Sequence, residues 1–285
     1  MLRTNKEKLV KISVMGSVDH PARAPYRINR EGVPKQVPGM CGIAYNVTVG
    51  DNAFGLIGDH VEPDVSVKNE DIDENDAFQI LACSGNEATV ITGDAKGEKG
   101  YVIGCHGGID HTIIHFSYET KRKMAVGDKI QVKSYGQGLE LVDYEDIAVM
   151  SLDPGLLERM NIKEVDGGIE VPVVCEIPGC LMGSGVGSRS SYNGDCDVMS
   201  GDMDMIREYG IDKLKFGDFV LIRDQVNTYG RDYLRGATTV GIVVHSDCII
   251  KGHGAGIGTL LTCRESKLIP KFDPNANIGN YMNLK

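Results

Sequence analysis

The sequence predicts a mainly β protein of the α+β class, built from small barrel-like or sandwich-like units with a few short helices. Glycine occurs 36 times in 285 residues, scattered between short apolar runs. Glycines in such places mark tight turns between strands. Aromatic residues make up only 6% of the chain and tryptophan is absent, so Val, Ile, Leu and Met must fill the core. The length is sufficient for one large domain or two smaller ones.

The first half, residues 1–150, is predicted to be a β-rich N-terminal domain. Apolar residues alternate over 9–15, which is typical of a strand. The acidic, polar stretch at 69–76 predicts an exposed loop. Further strands are predicted at 43–49, 65–67, 78–82, 88–92, 101–105, 112–117, 129–133 and 139–142.

Residues 17–42 are predicted to form an irregular arm. Four prolines in this segment exclude a regular strand or helix. Its arginines, among them Arg23, Arg27 and Arg30, give it a positive charge on an otherwise acidic chain. Long segments of this kind are usually functional. Two interpretations are open: an arm that clasps the body or a second subunit, and a loop that binds an anion.

The second half, residues 151–265, is predicted to be a barrel-like C-terminal domain with one or two short helices. Asp153 is a good N-cap and Pro154 suits the first helical position, so a helix over 154–160 marks the boundary. A second helix is predicted at 202–209, and Pro172 places its strand at a sheet edge. Strands are predicted at 169–176, 218–223, 239–245 and 257–263, followed by a tail at 266–285.

Composition argues against several classes of partner. The net charge of −10 disfavours a nucleic acid. The sequence contains no run of 18 apolar residues, so we expect no membrane span. Charged residues near the start interrupt any signal-peptide core. The eight cysteines include no C-x-x-C pair, and we expect them to be reduced thiols in the cytoplasm.

The segment from Gly58 to Asp64 is the first candidate site. Alternate residues of an extended segment share one face, so His60, Glu62 and Asp64 would point together. Imidazole and carboxylate groups suit a divalent transition metal. A solvated turn is the alternative interpretation.

The segment Cys105-His106-Gly-Gly-Ile-Asp-His111 is the second candidate. Its Gly-Gly turn would bring His106 and His111 to the ends of adjoining strands, as metal ligands or as an acid–base pair. His115 follows, but it should face the other way, between two apolar neighbours.

Two further segments are weaker candidates. Asp195 and Asp197 form a D-x-D repeat of the kind that attracts Mg²⁺ or Ca²⁺, although structural roles are equally open. The loop at 183–191, which contains Arg189, could hold an anion with its backbone N–H groups. Glycines alternate over 252–258, but a strand follows them, so we expect no nucleotide cofactor.

Three stretches together resemble a known prokaryotic family. SVDHPARAPYRINREGVPKQVPG, GDHVEP, and CHGGIDH followed by GDCDVMSGDMDMIREYGIDKLKFGD are similar to the family catalogued as domain of unknown function 4438. The resemblance covers the chain from about Ser17 to Cys263. It implies a β-rich fold in several small units with the Arg/Pro arm as a fixed feature, and it brings no catalytic residues. Gly58-Asp59-His60 alone is similar to the metal-dependent acetamidase/formamidase group.

These observations predict a metal-assisted hydrolase acting on a small anionic or amide-containing metabolite. A divalent metal would be held by His60, His106 and His111, with Asp59 or Glu62 as a further ligand or general base. Substrate carboxylate or phosphate would be held by the arginines Arg23, Arg27 and Arg189. The alternative is a non-catalytic protein that binds a metabolite or assembles into a homo-oligomer through its arm.

Overall fold

A computed structural model describes residues 2–21, 27–185 and 190–284. The mainly β prediction is confirmed. The strands are β1 Ile12–Val18, β2 Arg27–Ile28, β3 Pro34–Lys35, β4 Val65–Lys68, β5 Glu87–Val90, β6 Lys99–His106, β7 His111–His115, β8 Lys129–Ser134, β9 Ile147–Val149, β10 Lys163–Val165, β11 Gly168–Val173, β12 Cys175–Ile177, β13 Met182–Gly185, β14 Asp195–Met199, β15 Phe219–Val226, β16 Asp232–His245, β17 Gly254–Cys263 and β18 Leu268–Phe272.

The helices are short. They are α1 Ile72–Leu81, α2 Tyr118–Lys121, α3 Pro154–Arg159, α4 Met203–Glu208 and α5 Ile278–Met282. Asp153 and Asp202 cap α3 and α4 by accepting backbone N–H groups of the first turn, as the sequence predicts. Among the described residues, no helix has the length and apolar character needed to cross a membrane.

The first half of the chain closes into a six-stranded barrel. Its antiparallel strands follow the order β1-β4-β7-β6-β5-β8, so the sheet has no free edge. Val67, Phe78 and Ile130 belong to its apolar core. Phe78 comes from α1, which packs so closely on β1 that a Cβ at Gly16 would lie 3.1 Å from Phe78 Cε1.

Strands β9 to β18 form a seven-stranded sheet and a three-stranded sheet. The larger follows the order β12-β15-β16-β17-β14-β13, with β9 also paired to β17, and the smaller follows β10-β11-β18. One apolar cluster joins the halves, because Ile103 and Ile113 of the barrel pack with Ile242 and Val244 of β16. The turn between β6 and β7 therefore lies against the larger sheet.

Several predicted elements of the first half were wrong. Residues 78–81 belong to α1 rather than to a strand, with Ala82 as the C-cap, and α1 begins inside the stretch predicted as a loop at 69–76. Asp71 starts this helix by accepting the N–H groups of Asp73 and Glu74. Instead of strands, the ranges 43–49 and 139–142 contain only isolated bridges, at Ile43, Glu140 and Leu141.

The second half also differs in detail. Part of the predicted tail forms β18, which pairs in parallel with β11, and α5 buries Ile278. Pro172 lies in the middle strand of its sheet, but β10 pairs only as far as Glu170. Pro172 is therefore paired on one side, which tolerates its missing N–H. The domain boundary near residue 150 remains a prediction.

Candidate metal centre

Four histidines from separate segments converge where the barrel meets the larger sheet. His60 precedes β4, His106 ends β6, His245 ends β16 and His253 precedes β17. The His60 ring centroid lies 5.8 Å from that of His106, 5.1 Å from that of His245 and 5.2 Å from that of His253. The rings of His106 and His245 are 4.1 Å apart. Imidazoles therefore surround one small volume.

Strand β14 adds two carboxylates to this volume. Asp195 and Asp197 are two residues apart on a strand, so they share a face. The backbone N–H of Gly107, in the β6–β7 turn, donates to Asp195 Oδ1 at 2.7 Å. Gly256 lies on β17, the strand paired with β14, and a side chain there would place its Cβ 2.2 Å from both Asp195 Oδ2 and His245 Nε2. A glycine is needed there so that the carboxylate and the imidazole can approach.

Three of the rings are oriented by oxygen atoms behind them. Nδ1 of His106 lies 2.6 Å from Glu62 Oε1, and Nδ1 of His60 lies 3.0 Å from Asp59 Oδ1. Nδ1 of His245 lies 2.9 Å from the carbonyl oxygen of Ser246. Ionised carboxylates and carbonyls only accept hydrogen bonds, so each Nδ1 donates and each Nε2 is left for another partner. Metal-ligating histidines are held in the same way.

Asp195 and Asp197 face ring nitrogens of His245, His253 and His60. His245 Nε2 lies 2.8 Å from Asp195 Oδ2 and 3.4 Å from Asp197 Oδ1. The other oxygen of Asp197 lies 2.8 Å from His253 Nδ1 and 3.7 Å from His60 Nε2. These nitrogen and carboxylate groups include sets close enough together to hold a metal ion.

Two atoms in the centre have no hydrogen-bond partner among the described residues. Asp195 Oδ2 and His245 Nε2 are both buried and unsatisfied, although they face each other. Leaving buried polar atoms unpaired is costly, and native proteins rarely do it without a reason. At 2.8 Å the two atoms are close enough for one proton or one cation to satisfy both.

The carboxylates hold protons on these imidazoles when no cation is present. Burial lowers the pKa of His60, but the nearby carboxylates of Asp197 and Asp59, which stabilise its protonated ring, outweigh burial and raise that pKa to about 12. Burial likewise opposes charge on His245, while Asp195 and Asp197 raise its pKa to about 10. The pKa of Asp197 is lowered far below its usual range by His245, His253 and His60, against the effect of burial. A divalent cation would take the place of these protons.

His111, predicted as a ligand, lies behind the centre. Its Nδ1 lies 2.8 Å from Glu62 Oε2 and its Nε2 lies 2.9 Å from Asp19 Oδ2. Burial disfavours its charge, but Glu62 and Asp19 raise its pKa to about 9. Both nitrogens of His111 are thus occupied, and it contacts the centre only through Glu62.

Glu62 and Asp59, predicted as a base or ligands, stand on the outer side of the rings. Glu62 is fully buried and accepts from His106, His111 and Ser66 Oγ. Asp59 accepts from His60 and forms an ion pair with Arg27, whose Nη1 is 3.2 Å from Asp59 Oδ2. Both carboxylates lie against the Nδ1 atoms of these rings, and Asp59 also forms, with His60 and Cys248, a set of donors close enough together to hold a metal ion.

Asp64 does not join His60 and Glu62 as predicted. It lies 3.0 Å from His115 Nδ1 and 2.9 Å from Lys121 Nζ, in a separate buried cluster. His60 has φ 54° and Asp64 has φ 58°, so the segment is not extended and its alternation is lost.

A cavity of about 290 Å³ opens onto the centre. Its lining includes Arg27, His60, His106, Asp195, Asp197 and His253. Arg27 is the only one of the three predicted anion-binding arginines that can be placed there, since Arg23 and Arg189 lie outside the described residues. The next arm residue with a long side chain, Arg30, ties the arm to the body, because it donates to Ser200 Oγ and to the Cys248 carbonyl.

Sequence reasoning overlooked His245 and His253 as members of the centre. His253 stands within the alternating glycines over 252–258, a pattern that we considered only as a nucleotide motif. The D-x-D of Asp195 and Asp197 was a usable signal, because that spacing on a strand gives one face. His245 is the last residue of an apolar strand, and no neighbouring residue type or spacing marks it as part of a site.

Two family models cover most of the chain. One, described as "Domain of unknown function (DUF4438), N-terminal", matches residues 26–158, and one described as "Domain of unknown function (DUF4438), C-terminal" matches residues 159–282. A solved structure described as "Crystal structure of TM1086" is 46% identical, covers 98% of this chain and 99% of its own, and superposes with a TM-score of 0.93. None of the curated proteins matches this chain.

Proposed function

We propose that this chain, which belongs to the DUF4438 family of unknown function, is a metal-dependent hydrolase acting on a small anionic or amide-containing metabolite. One observation carries the proposal. The Nε2 atoms of His60 and His245, whose Nδ1 atoms are fixed by oxygens, face the buried aspartates Asp195 and Asp197, and the His106 ring lies 4.1 Å from that of His245 beside a cavity. The proposal requires no nucleotide cofactor.

The donor set indicates the kind of metal. Imidazole nitrogens suit Zn²⁺ and related transition-metal ions, and the carboxylate oxygens suit Mn²⁺. Such an ion lowers the pKa of a bound water to about 7, which supplies hydroxide at neutral pH. The attack on a carbonyl or phosphoryl group would then need no separate side-chain base.

The cavity indicates the size and charge of the substrate. A volume of about 290 Å³ admits a small metabolite. Arg27 lines this cavity, and its guanidinium can pair with a substrate carboxylate or phosphate through parallel N–H bonds. Asp59 holds the same guanidinium, so His60 and Arg27 are positioned by one carboxylate.

Metal analysis tests the proposal. The protein is stripped with a chelator, reloaded with Mn²⁺ or Zn²⁺, desalted and measured by elemental analysis. We expect stoichiometric metal in the native protein and a strong loss in His106→Ala. The exposed His20 supplies the matched control, since His20→Ala should retain the metal. Absence of bound metal in the folded native protein would overturn the proposal.

Activity is tested on the same samples. We expect the loaded protein to hydrolyse members of a panel of small amides and phosphate or carboxylate esters, and the stripped protein to be inactive. Arg27→Ala should raise KM more for anionic members than for neutral ones, because it removes the cation that pairs with them. Equal changes in KM would contradict this role of Arg27.

One observation favours the non-catalytic alternative, an assembly protein. The β2–β3 hairpin is fixed to the body through Arg30, yet it exposes Ile28 at 53% and Val33 at 47%. Exposed apolar side chains on a fixed arm suit a contact with a second copy. If Ile28→Ser with Val33→Ser abolishes assembly in light scattering, and the native protein shows no metal-dependent turnover, the alternative is favoured.

The proposed location is the cytoplasm. Cys83 and Cys105 are buried thiols, and burial raises the pKa of each to about 12, so both are inert. Buried, unreactive thiols are typical of proteins in a reducing compartment.

A further inference from the structure

We infer, building on the proposed metal centre, that it holds two divalent cations bridged by the carboxylate of Asp197. Of the three sets of donor atoms that the described residues place close enough together to hold a cation, one consists of Asp59, His60 and Cys248, and the other two lie on Asp197. His60, Asp197 and His253 form one, and Asp195, Asp197 and His245 form the other. Within each set the donor atoms lie within 4.8 Å of one another. Asp197 is the one residue that both sets share.

The two oxygens of Asp197 face different sets. Oδ2 lies 2.8 Å from His253 Nδ1, whereas Oδ1 lies 3.4 Å from His245 Nε2. A carboxylate that presents one oxygen to each of two donor sets is suited to bridge two ions. Two-metal hydrolytic sites place their ions roughly 3.5–4 Å apart, a distance that such a bridge spans.

Each position has its own nitrogen donors. His60 and His253 belong to the first position. His245 belongs to the second, and the His106 ring is 4.1 Å from that of His245, so His106 is the nearest further donor there. Asp195 Oδ2, unsatisfied and buried, completes the second position. Neither position is filled by protein atoms alone, which leaves room for water and substrate.

Charge supports two cations over one. Asp59, Glu62, Asp195 and Asp197 contribute four negative charges around the four neutral imidazoles, and Arg27 at the cavity contributes one positive charge. With the hydroxide that hydrolysis needs, two divalent cations make the site neutral. With one cation the remaining negative charge would be balanced by protons on the imidazoles, and a protonated nitrogen cannot act as a metal ligand.

The spacing of Asp195 Oδ2 and His245 Nε2 favours the second position as a real site. Both atoms are buried and face each other at 2.8 Å, close enough for one cation to contact both.

Stoichiometry and variants test the inference. Metal-free full-length protein is titrated with Mn²⁺ by equilibrium dialysis with elemental analysis, and the bound ions are examined by electron paramagnetic resonance. We expect two Mn²⁺ per chain with an exchange-coupled spectrum. His253→Ala should bind one Mn²⁺ per chain with an uncoupled spectrum, and so should His245→Ala. His20→Ala should bind two.

His253 is half-exposed, so His253→Ala is the variant expected to fold even if His245→Ala does not. One Mn²⁺ per native chain would overturn the two-cation inference and leave the proposed metal centre standing. No bound Mn²⁺ would overturn both. Two ions that persist in His253→Ala, or that are never coupled, would show that the second ion binds elsewhere and would also overturn the inference.

Discussion

Glu62 is the residue on which the orientation of His106 depends. It is completely buried, and its two oxygens accept from His106, His111 and Ser66. Burial alone would raise its pKa, but the charges and hydrogen bonds of His111 and His106 lower it well below the usual range. Glu62 therefore stays ionised and acts as a positioning residue.

Replacing this carboxylate should weaken metal binding. In Glu62→Gln one oxygen becomes an NH₂ donor and the negative charge is lost, so the charge-assisted bonds from His106 and His111 weaken and the tautomer of His106 is held less firmly. We expect metal affinity to fall roughly 10–100-fold, as for other residues that orient metal ligands. Competition with a chelating dye measures the change. Glu87→Gln, which alters a surface ion pair with Lys99, is the control, and equal affinities in the two variants would contradict the role of Glu62.

Metal affinity should rise with pH. The pKa of His60 is raised to about 12 and that of His245 to about 10, so both carry a proton at neutral pH in the metal-free protein. A cation must displace these protons, which becomes easier as proton activity falls. Titration calorimetry between about pH 6 and pH 8, in two buffers of different ionisation enthalpy, should show protons released on binding. An affinity independent of pH would contradict this exchange.

At the scale of elements, the centre depends on how closely β14, β16 and β17 approach. Asp197 of β14 pairs with Gly256 of β17, and His245 of β16 also pairs with Gly256. The missing side chain at this position leaves room for the Asp195 and His245 side chains to meet.

A methyl group at Gly256 should therefore destroy the centre. Its Cβ would lie 2.2 Å from Asp195 Oδ2 and from His245 Nε2, so both donors must move. We expect Gly256→Ala to lose stoichiometric metal by elemental analysis. Gly258→Ala on the same strand is the matched control, because its nearest neighbour would be 3.4 Å away, in ordinary contact. Retention of full metal binding in Gly256→Ala would contradict the geometry.

The sequence predicted the elements with a strong local signal. Short runs of apolar residues located β7 and β8, and the N-cap residues Asp153 and Asp202 located α3 and α4. Helix α1 was missed because Phe78-Gln-Ile-Leu-Ala also resembles a strand, and only the capping by Asp71 and the barrel contact decide the outcome. Short apolar runs do not distinguish the two structures.

The site was predictable only in part. His60, His106 and the Asp195/Asp197 pair stood out through their spacing, but their convergence depends on a packing of barrel on sheet that no local pattern records. His245 lies 139 positions after His106 in the chain, yet their rings are 4.1 Å apart. Left-handed backbone at His60 and Asp64 also broke the alternation assumed for that segment.

At the scale of the molecule, the centre joins the two halves of the chain. His60 and His106 come from the barrel half, whereas Asp195, Asp197 and His245 come from the larger sheet. The apolar cluster containing Ile103, Ile113, Ile242 and Val244 lies in the same junction. A bound cation should therefore stabilise the contact between the halves as well as the site.

Metal should raise the melting temperature. A ligand that binds only the folded state at about 100 times its Kd stabilises it by about 2.7 kcal/mol. For a chain of this size we expect an increase in Tm of roughly 4–10 °C by calorimetry. The His106→Ala variant should show a much smaller increase. An equal increase in this variant would place the stabilising ion elsewhere.

The most direct measurement is a crystal structure of the protein soaked with Mn²⁺, with anomalous diffraction recorded on both sides of the manganese absorption edge. The account predicts anomalous peaks beside Asp197, within coordination distance of His60 Nε2 and His253 Nδ1 on one side and of His245 Nε2 on the other. A fully soaked crystal with no anomalous peak among these histidines and aspartates would contradict it.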